Sequence, residues 1–223
     1  MKIISLVNFV RGGKSSIARL LAENLGTSIL NFDPRRNGEF YNAVKTTNIP
    51  ELSTVTRKAN SLEIDTQDET MIITSKRDFL ICDFGGRFDE RINDFESDIY
   101  IFPMTDDFES INETIRATKY VLSSNPTANI IHVLNMVMCS DKKERVDFEE
   151  EYKELMILNK LKNIDYVIMP RSKLIKKLVN DKMKSNDIIG NSNFLKLGAY
   201  RKISAFTNKL VKTIKRKEKW EKK

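Results

Sequence analysis

The chain has 223 residues, 40% apolar and 31% charged, with eight Gly and five Pro. This composition excludes a disordered or fibrous chain and gives enough apolar surface for one generous α/β domain, with two small domains as the alternative. The net charge of +7 is concentrated: residues 209–223 hold eight Lys/Arg and two Glu, leaving a near-neutral body and a basic tail suited to an acidic polymer or an anionic surface.

Short apolar runs alternate with helical patterns. Ile3–Val7 reads as a first buried strand, and Ser15–Leu25 as a helix with Ile17, Leu20, Leu21 and Leu25 on one face and Gly26 as its stop. Ser28–Phe32 is the second strand and ends in the polar turn DPRRNG. Residues 38–75 suggest short helices and a weak strand near Leu62–Ile64. Phe79–Asp83 is a strand closed by Gly85 and Gly86, and Asp98–Phe102 is a strand ending at Pro103. A helix over 107–122, a strand over Ile130–Val137 and a charged amphipathic helix over 144–162 follow. The last strand is Ile164–Met169, ending at Pro170, and residues 171–180 and 193–217 look helical. Alternating strands and helices, with strands that are apolar throughout, predict a mostly parallel twisted sheet covered by helices on both faces. The sequence predicts one domain over 1–208 and a basic tail over 209–223 that continues the last helix.

No run of eighteen apolar residues occurs, and the N-terminal apolar stretch is too short for a signal peptide, so a cytoplasmic protein is expected. Cys82 and Cys139 lie far apart with no CxxC pair, which points to buried free thiols rather than a disulfide or a zinc site. The single His132 lies in the apolar run NIIHVLNMV and reads as a satisfied strand residue, because a metal site needs several ligands.

The loop between the first strand and helix is NFVRGGKSS, residues 8–16. Gly12-Gly13-Lys14-Ser15 has the form of the end of a phosphate-binding loop. Glycines let backbone N–H groups close around phosphate oxygens, and the following helix N-terminus adds its dipole. In such a loop Lys14 reaches the β- and γ-phosphates, the Ser15 hydroxyl holds Mg²⁺, and Arg11 and Ser16 flank the site. A strand before and a helix after give the motif its setting. The full GxxxxGK[ST] pattern would need glycine at Asn8. The other reading is an ordinary strand–helix turn with a surface lysine.

Three further segments join this loop: NFDPRRN over 31–37, DFLICDFGGR over 78–87, and the run SDIYIFPMTDD, IIHVLNMV and DYVIMPRS. In order and spacing the chain resembles the ParA/MinD family of dimerising P-loop ATPases across most of residues 1–180. The family loop has the form KGGxGK[ST], and Gly13-Lys14-Ser15 match its end. The resemblance implies a P-loop NTPase fold with ATP and Mg²⁺ as cofactors. It makes Asp33 the residue that positions the attacking water, Asp83 a holder of Mg²⁺ through water, and Gly85 and Gly86 the second switch. It also places Asn135, Pro170 and Arg171 in the nucleotide site, the last two beside the adenine. On their own residues, Asp33-Pro34 also suits a plain turn and Asp83 a helix cap. The signature lysine of the family is replaced: its position is Phe9, or Val10 or Arg11 if the loop is one residue shorter, and Arg11 is the available cation. Asn31 and Arg35 stand where the family's first switch has Asp and Gln.

Three functions are compatible with this pattern. The first is a slow ATPase switch for plasmid or DNA partition. The first strand begins at residue 2, as in the short form of the family. Such short proteins act as homodimers, bind DNA without sequence preference in the ATP state, gather on the nucleoid and work with a small centromere-binding, ParB-like adaptor. Lys209, Lys212, Lys215, Arg216 and Lys219 would face DNA while Ile203, Phe206, Leu210, Val211 and Ile214 dock on the domain. The second is a MinD-like membrane-cycling protein, which needs that apolar stripe free for lipid. The third is a nucleotide-binding scaffold with little hydrolysis, suggested by the altered loop and Asn31.

Overall fold

The computed structural model describes residues 1–7, 12–33, 44–50, 53–74, 78–85, 92, 96–136, 139–171 and 194–220. Seven strands form the main sheet: β1 (Lys2–Leu6), β2 (Ile29–Asn31), β3 (Thr46–Asn48), β7 (Phe79–Asp83), β8 (Ile99–Met104), β9 (Ile130–Asn135) and β10 (Asp165–Met169). Their spatial order is β10-β9-β8-β1-β7-β2-β3, and every pairing is parallel. β7, β8 and β9 are buried along their whole length, the consequence of covering both faces of a parallel sheet.

Side chains alternate between the two faces. Ile4, Leu6, Ile101 and Val133 point into one cluster with α1 (Lys14–Leu25) and α4 (Phe194–Trp220). Ile3, Leu30, Leu80 and Phe102 belong to a second cluster, capped by a small antiparallel sheet and by α2 (Phe108–Ser124). α3 (Lys142–Leu158) closes the third cluster through Phe148, Tyr152 and Met156, set at i, i+4 and i+8. Gly26 ends α1 in the left-handed conformation, φ 61°, where it costs least, as the sequence predicts.

The described residues between 44 and 74 correct the expectation of short helices. They are strands: β3, then the meander β4 (Ser53–Lys58), β5 (Ser61–Thr66) and β6 (Thr70–Thr74). The strand near Leu62–Ile64 is real and forms the centre of that meander. Val55, Leu62 and Ile64 are buried, while Thr54, Thr56 and Asp65 face outward, so the signal was a period of two diluted by threonines and charges.

Pro103 does not end its strand; β8 continues to Met104. Ile101 accepts the Val7 N–H on the β1 side, and Pro103 faces that same side beyond the end of β1, where a missing donor costs no ladder bond. Of the helix expected over 171–180, all but Arg171 lies outside the described residues.

Cys82 and Cys139 are buried free thiols. His132 is fully buried in β9, with Nε2 2.8 Å from the Thr118 hydroxyl of α2 and Nδ1 3.0 Å from the Tyr152 hydroxyl of α3. It is a satisfied strand residue. The apolar stripe of α4 docks on the domain: Ile203, Phe206, Leu210 and Ile214 are buried and Val211 packs at the margin. The helix runs unbroken past residue 208 and is clipped to the start of β10 by Arg216 and Lys217, both paired with Asp165.

Candidate functional site at the carboxyl edge of the sheet

β1 lies where the strand order reverses, since the chain moves to β2 on one side and returns to β8 on the other. In open α/β sheets that position opens a crevice at the carboxyl ends of the strands. Leu6 is in register with Asp83, and Asp83 with Asn31, so the loops after β1, β7 and β2 leave from one line. Two bonds fasten that line, Phe84 N–H to Leu6 O at 3.2 Å and Phe32 N–H to Asp83 O at 2.9 Å.

Gly13 is the cap residue of α1, with φ 87°, a conformation that L side chains rarely adopt. Lys14 and Ser15 open the helix and are buried, and Ser16 beside them is half-buried. Among the described residues no side chain caps this helix, and its first turn holds no acidic residue. α2 and α3 contrast with it: Asp107 and Asp141 cap them, with Glu109 and Glu144 in their first turns. The first turn of α1 thus brings no negative charge to its positive end, the arrangement that favours phosphate.

Asn135, at the end of β9, donates from Nδ2 to Gly12 O at 3.1 Å. A Cβ on Gly13 would come within 2.8 Å of that same nitrogen. Asn135 therefore touches and fixes the glycine loop from below. Arg171, expected beside the nucleotide base, is exposed and donates to Cys139 O at 3.1 Å, while half-buried Pro170 follows β10. Arg11, Phe9, Val10, Pro34, Arg35 and Gly86 lie outside the described residues.

Asp83 is 1% exposed and Asp33 is half-buried. A Cβ on Gly85 would sit 3.6 Å from Asp33, so the two expected switch segments touch. Beneath them the rings of Phe32 and Phe84 stack with centroids 4.6 Å apart.

No family model and no curated protein sequence matches this chain. Solved structures do. Apo McdA from Cyanothece superposes with a TM-score of 0.62 at 14% identity, covering 95% of this chain and 99% of that one. A putative plasmid partition protein from Borrelia burgdorferi B31, bound to AMPPNP, gives 0.58 at 15% identity over 93% and 98%. The MinD cell division protein of Aquifex aeolicus gives 0.59 at 12% identity over 95% and 97%. The chain has the ParA/MinD fold, a P-loop NTPase architecture.

On the ParA/MinD fold the described residues suit a magnesium nucleotide. Ser15 and Asp83 offer hard oxygen donors, the class that Mg²⁺ takes. Among the described residues no cluster of three His, Cys, Asp or Glu could hold a metal by itself. An ion at Ser15 and Asp83 would complete its shell with phosphate and water oxygens. Burial pushes the Cys82 thiol up, and burial with Asp106 pushes Cys139 up to about 11, so both thiols stay protonated and inert.

Of the residues expected to face DNA, Lys209, Lys212 and Lys215 are exposed. Arg216 is exposed too but pairs with Asp165 at 2.6 Å. The side chain of Lys219 lies outside the described residues. Among the described residues no helix is long and apolar enough to cross a membrane.

Sequence reasoning missed what Asn31 does. Its Oδ1 accepts the Asp33 N–H at 3.1 Å, and its Nδ2 donates to Asp33 O at 3.3 Å and to Asn48 Oδ1 at 2.9 Å. An aspartate would make the first bond only. The signal was present in the Asn-x-Asp spacing, which is that of an Asx turn.

Proposed function

We propose that this chain is an ATP-dependent dimerising switch, a slow ATPase that partitions or positions DNA cargo. The observation that carries it is the acid-free N-terminus of α1, with Gly13, Lys14 and Ser15, in the crevice that Asp33 and Asp83 also border on the ParA/MinD fold. Lys14 and the α1 amides bind and orient phosphate; Lys14, with Arg11 if it reaches, offsets the charge that develops in transfer. Ser15, and Asp83 through water, would hold a magnesium ion, which when bound would offset charge on the phosphate oxygens. Asp33 orients a water, and Asn31 fixes the Asp33 backbone while it does so. Asn135 keeps the loop closed. Release of the Asp33 and Gly85 segments from their mutual contact would end the ATP state.

In the DNA-partition reading, homodimers in the ATP state hold nonspecific DNA through Lys209, Lys212, Lys215, Arg216 and Lys219, and a small ParB-like adaptor stimulates hydrolysis. The burial of the α4 stripe supports DNA over lipid as the surface, because the apolar face that a membrane would need is inside the domain. Phe9 at the signature-lysine position favours one second reading, a scaffold that binds ATP without turnover.

The test is ATP binding and phosphate release with and without duplex DNA at low salt. Lys14→Ala is expected to lose ATP affinity at least about tenfold, because it removes a charged phosphate contact. Asp33→Ala is expected to bind ATP and lose DNA-stimulated turnover. A Lys14→Ala variant with parental ATP affinity overturns the nucleotide site. Tight ATP binding with no phosphate release, DNA and adaptor present, selects the scaffold.

A further inference from the structure

The amino edge of the sheet, opposite the crevice, holds a cavity of about 490 Å³ that the nucleotide reading does not use. Its walls are residues 96–98, which lead into β8, and residues 124–129, where α2 ends and turns into β9. The six residues of β8 separate it from the crevice by about 20 Å. The walls are fixed. The Ser97 hydroxyl meets that of Ser5 at 2.5 Å, and the Ser97 N–H donates to the Tyr100 hydroxyl oxygen at 3.2 Å.

Two features make this cavity negative. A helix C-terminus is the negative end of its peptide dipoles. The last turn of α2 holds no basic residue, and the carbonyls of Leu122, Ser123 and Ser124 take no hydrogen bond from the described residues. Glu96 is the second feature. No described residue pairs with its carboxylate, while Lys2 and Arg57 are both committed to Asp98, at 3.1 and 2.8 Å. The carboxylate lies close to the cavity wall: burial, with the Glu96 charge adding to it, holds the Tyr100 phenol above its usual 10 against the hydrogen bonds from Ser97. The backbone of Glu96 is also strained, with φ 37°, a conformation uncommon for any residue but glycine. Arg57 holds it there by donating to Glu96 O. Glu96 is exposed, so packing does not call for this conformation, and strain of this kind gathers at ligand sites.

We propose that this cavity binds a small organic cation, an alkylammonium or alkylguanidinium, with Glu96 as its counter-ion and the carbonyls at the end of α2 as acceptors. Such a head carries N–H donors and no acceptor, the complement of what the cavity offers. The volume is that of a small-molecule site. A bare divalent metal fits less well, because among the described residues no three His, Cys, Asp or Glu converge. The inference stands apart from the nucleotide site and holds whether or not the chain hydrolyses ATP.

Calorimetric titration of the nucleotide-free full chain with agmatine, which carries both kinds of head, tests it. One equivalent should bind, and 1-butanol, which has no charge, should not. Glu96→Gln removes the counter-ion and should weaken agmatine at least about tenfold. Glu151→Gln, on the exposed face of α3, controls for attraction to surface acids and should leave the affinity unchanged. Ser124→Lys places an ammonium in the last turn of α2, where it can take the same carbonyls, and should abolish binding. Glu96→Gly separates binding from folding: it removes the carboxylate and relieves the positive φ, so it should lose agmatine while its thermal midpoint rises. Lys14→Ala should bind agmatine as the parent does, which keeps failure of the nucleotide site distinct from failure of this one. No saturable agmatine binding up to about 10 mM, or an affinity that neither Glu96→Gln nor Ser124→Lys alters, overturns the proposal.

Discussion

At the residue scale the site depends on one approach that has no slack. Gly13 combines φ 87° with a geometry in which a Cβ would lie 2.8 Å from Asn135 Nδ2. Gly13→Ala should therefore cost stability twice, about 1–2 kcal/mol for the left-handed backbone and more for the clash. The two costs separate in a double-mutant cycle. Asn135→Ala removes the clashing nitrogen and its bond to Gly12 O, so Gly13→Ala should cost less in that background, with a coupling of at least about 0.5 kcal/mol. Urea denaturation of the four proteins measures it, and strict additivity would show that Asn135 does not hold the loop. The Gly-Gly-Lys-Ser run was legible because glycine, lysine and hydroxyl at fixed spacing have few other uses between a strand and a helix. Asn135 was legible as a residue of interest but not as a loop support, since its partner is 123 positions away. Asn31 read as a departure from a pattern, although its amide makes two bonds that a carboxylate could not.

At the element scale, strands buried on both faces announced themselves as apolar runs, and β1, β7, β9 and β10 fall where the sequence put them, within one or two residues. The meander did not. Apart from Ile72 its outward positions are threonines, a serine and charges, its inward apolar residues are isolated, and its turns are short, so the period of two is hard to see. β9 carries a consequence that its sequence only hinted at. His132 bridges α2 and α3 from inside the sheet, and burial lowers its pKa from the usual 6.5 to about 3. The unfolded imidazole takes a proton below its ordinary pKa, while the folded one resists until far lower pH. Within that window the unfolded state binds more protons, so stability falls as pH falls, by about 1.4 kcal/mol per unit. His132→Phe should be less stable than the parent at pH 7, because the Thr118 and Tyr152 hydroxyls lose their partner. It should also lose less stability between about pH 6.5 and 5. Parallel pH profiles for the two proteins would remove His132 as the source.

At the scale of the whole molecule, a neutral α/β body carries its excess charge on one helix. The buried side of α4 holds Ile203, Phe206, Leu210 and Ile214 in the core, which leaves Lys209, Lys212 and Lys215, three residues apart, on one exposed side. Arg216 and Lys217 already pair with Asp165, so a phosphate must compete for them. The three outward lysines are therefore the place to look for the DNA surface. Replacing all three with Gln should leave the fold intact, since none contributes to the core. If they meet phosphates, DNA affinity falls and the slope of log affinity against log salt becomes shallower by about 0.9 for each phosphate no longer neutralised. A lipid surface behaves otherwise. Attraction of lysines to anionic vesicles is screened by salt, and only an inserted apolar face survives it. Salt-resistant vesicle binding would thus require the α4 stripe to leave the core, and it would appear together with loss of α4 protection in hydrogen exchange. Salt-sensitive DNA binding with α4 fully protected is the outcome that the packing of this helix leads us to expect.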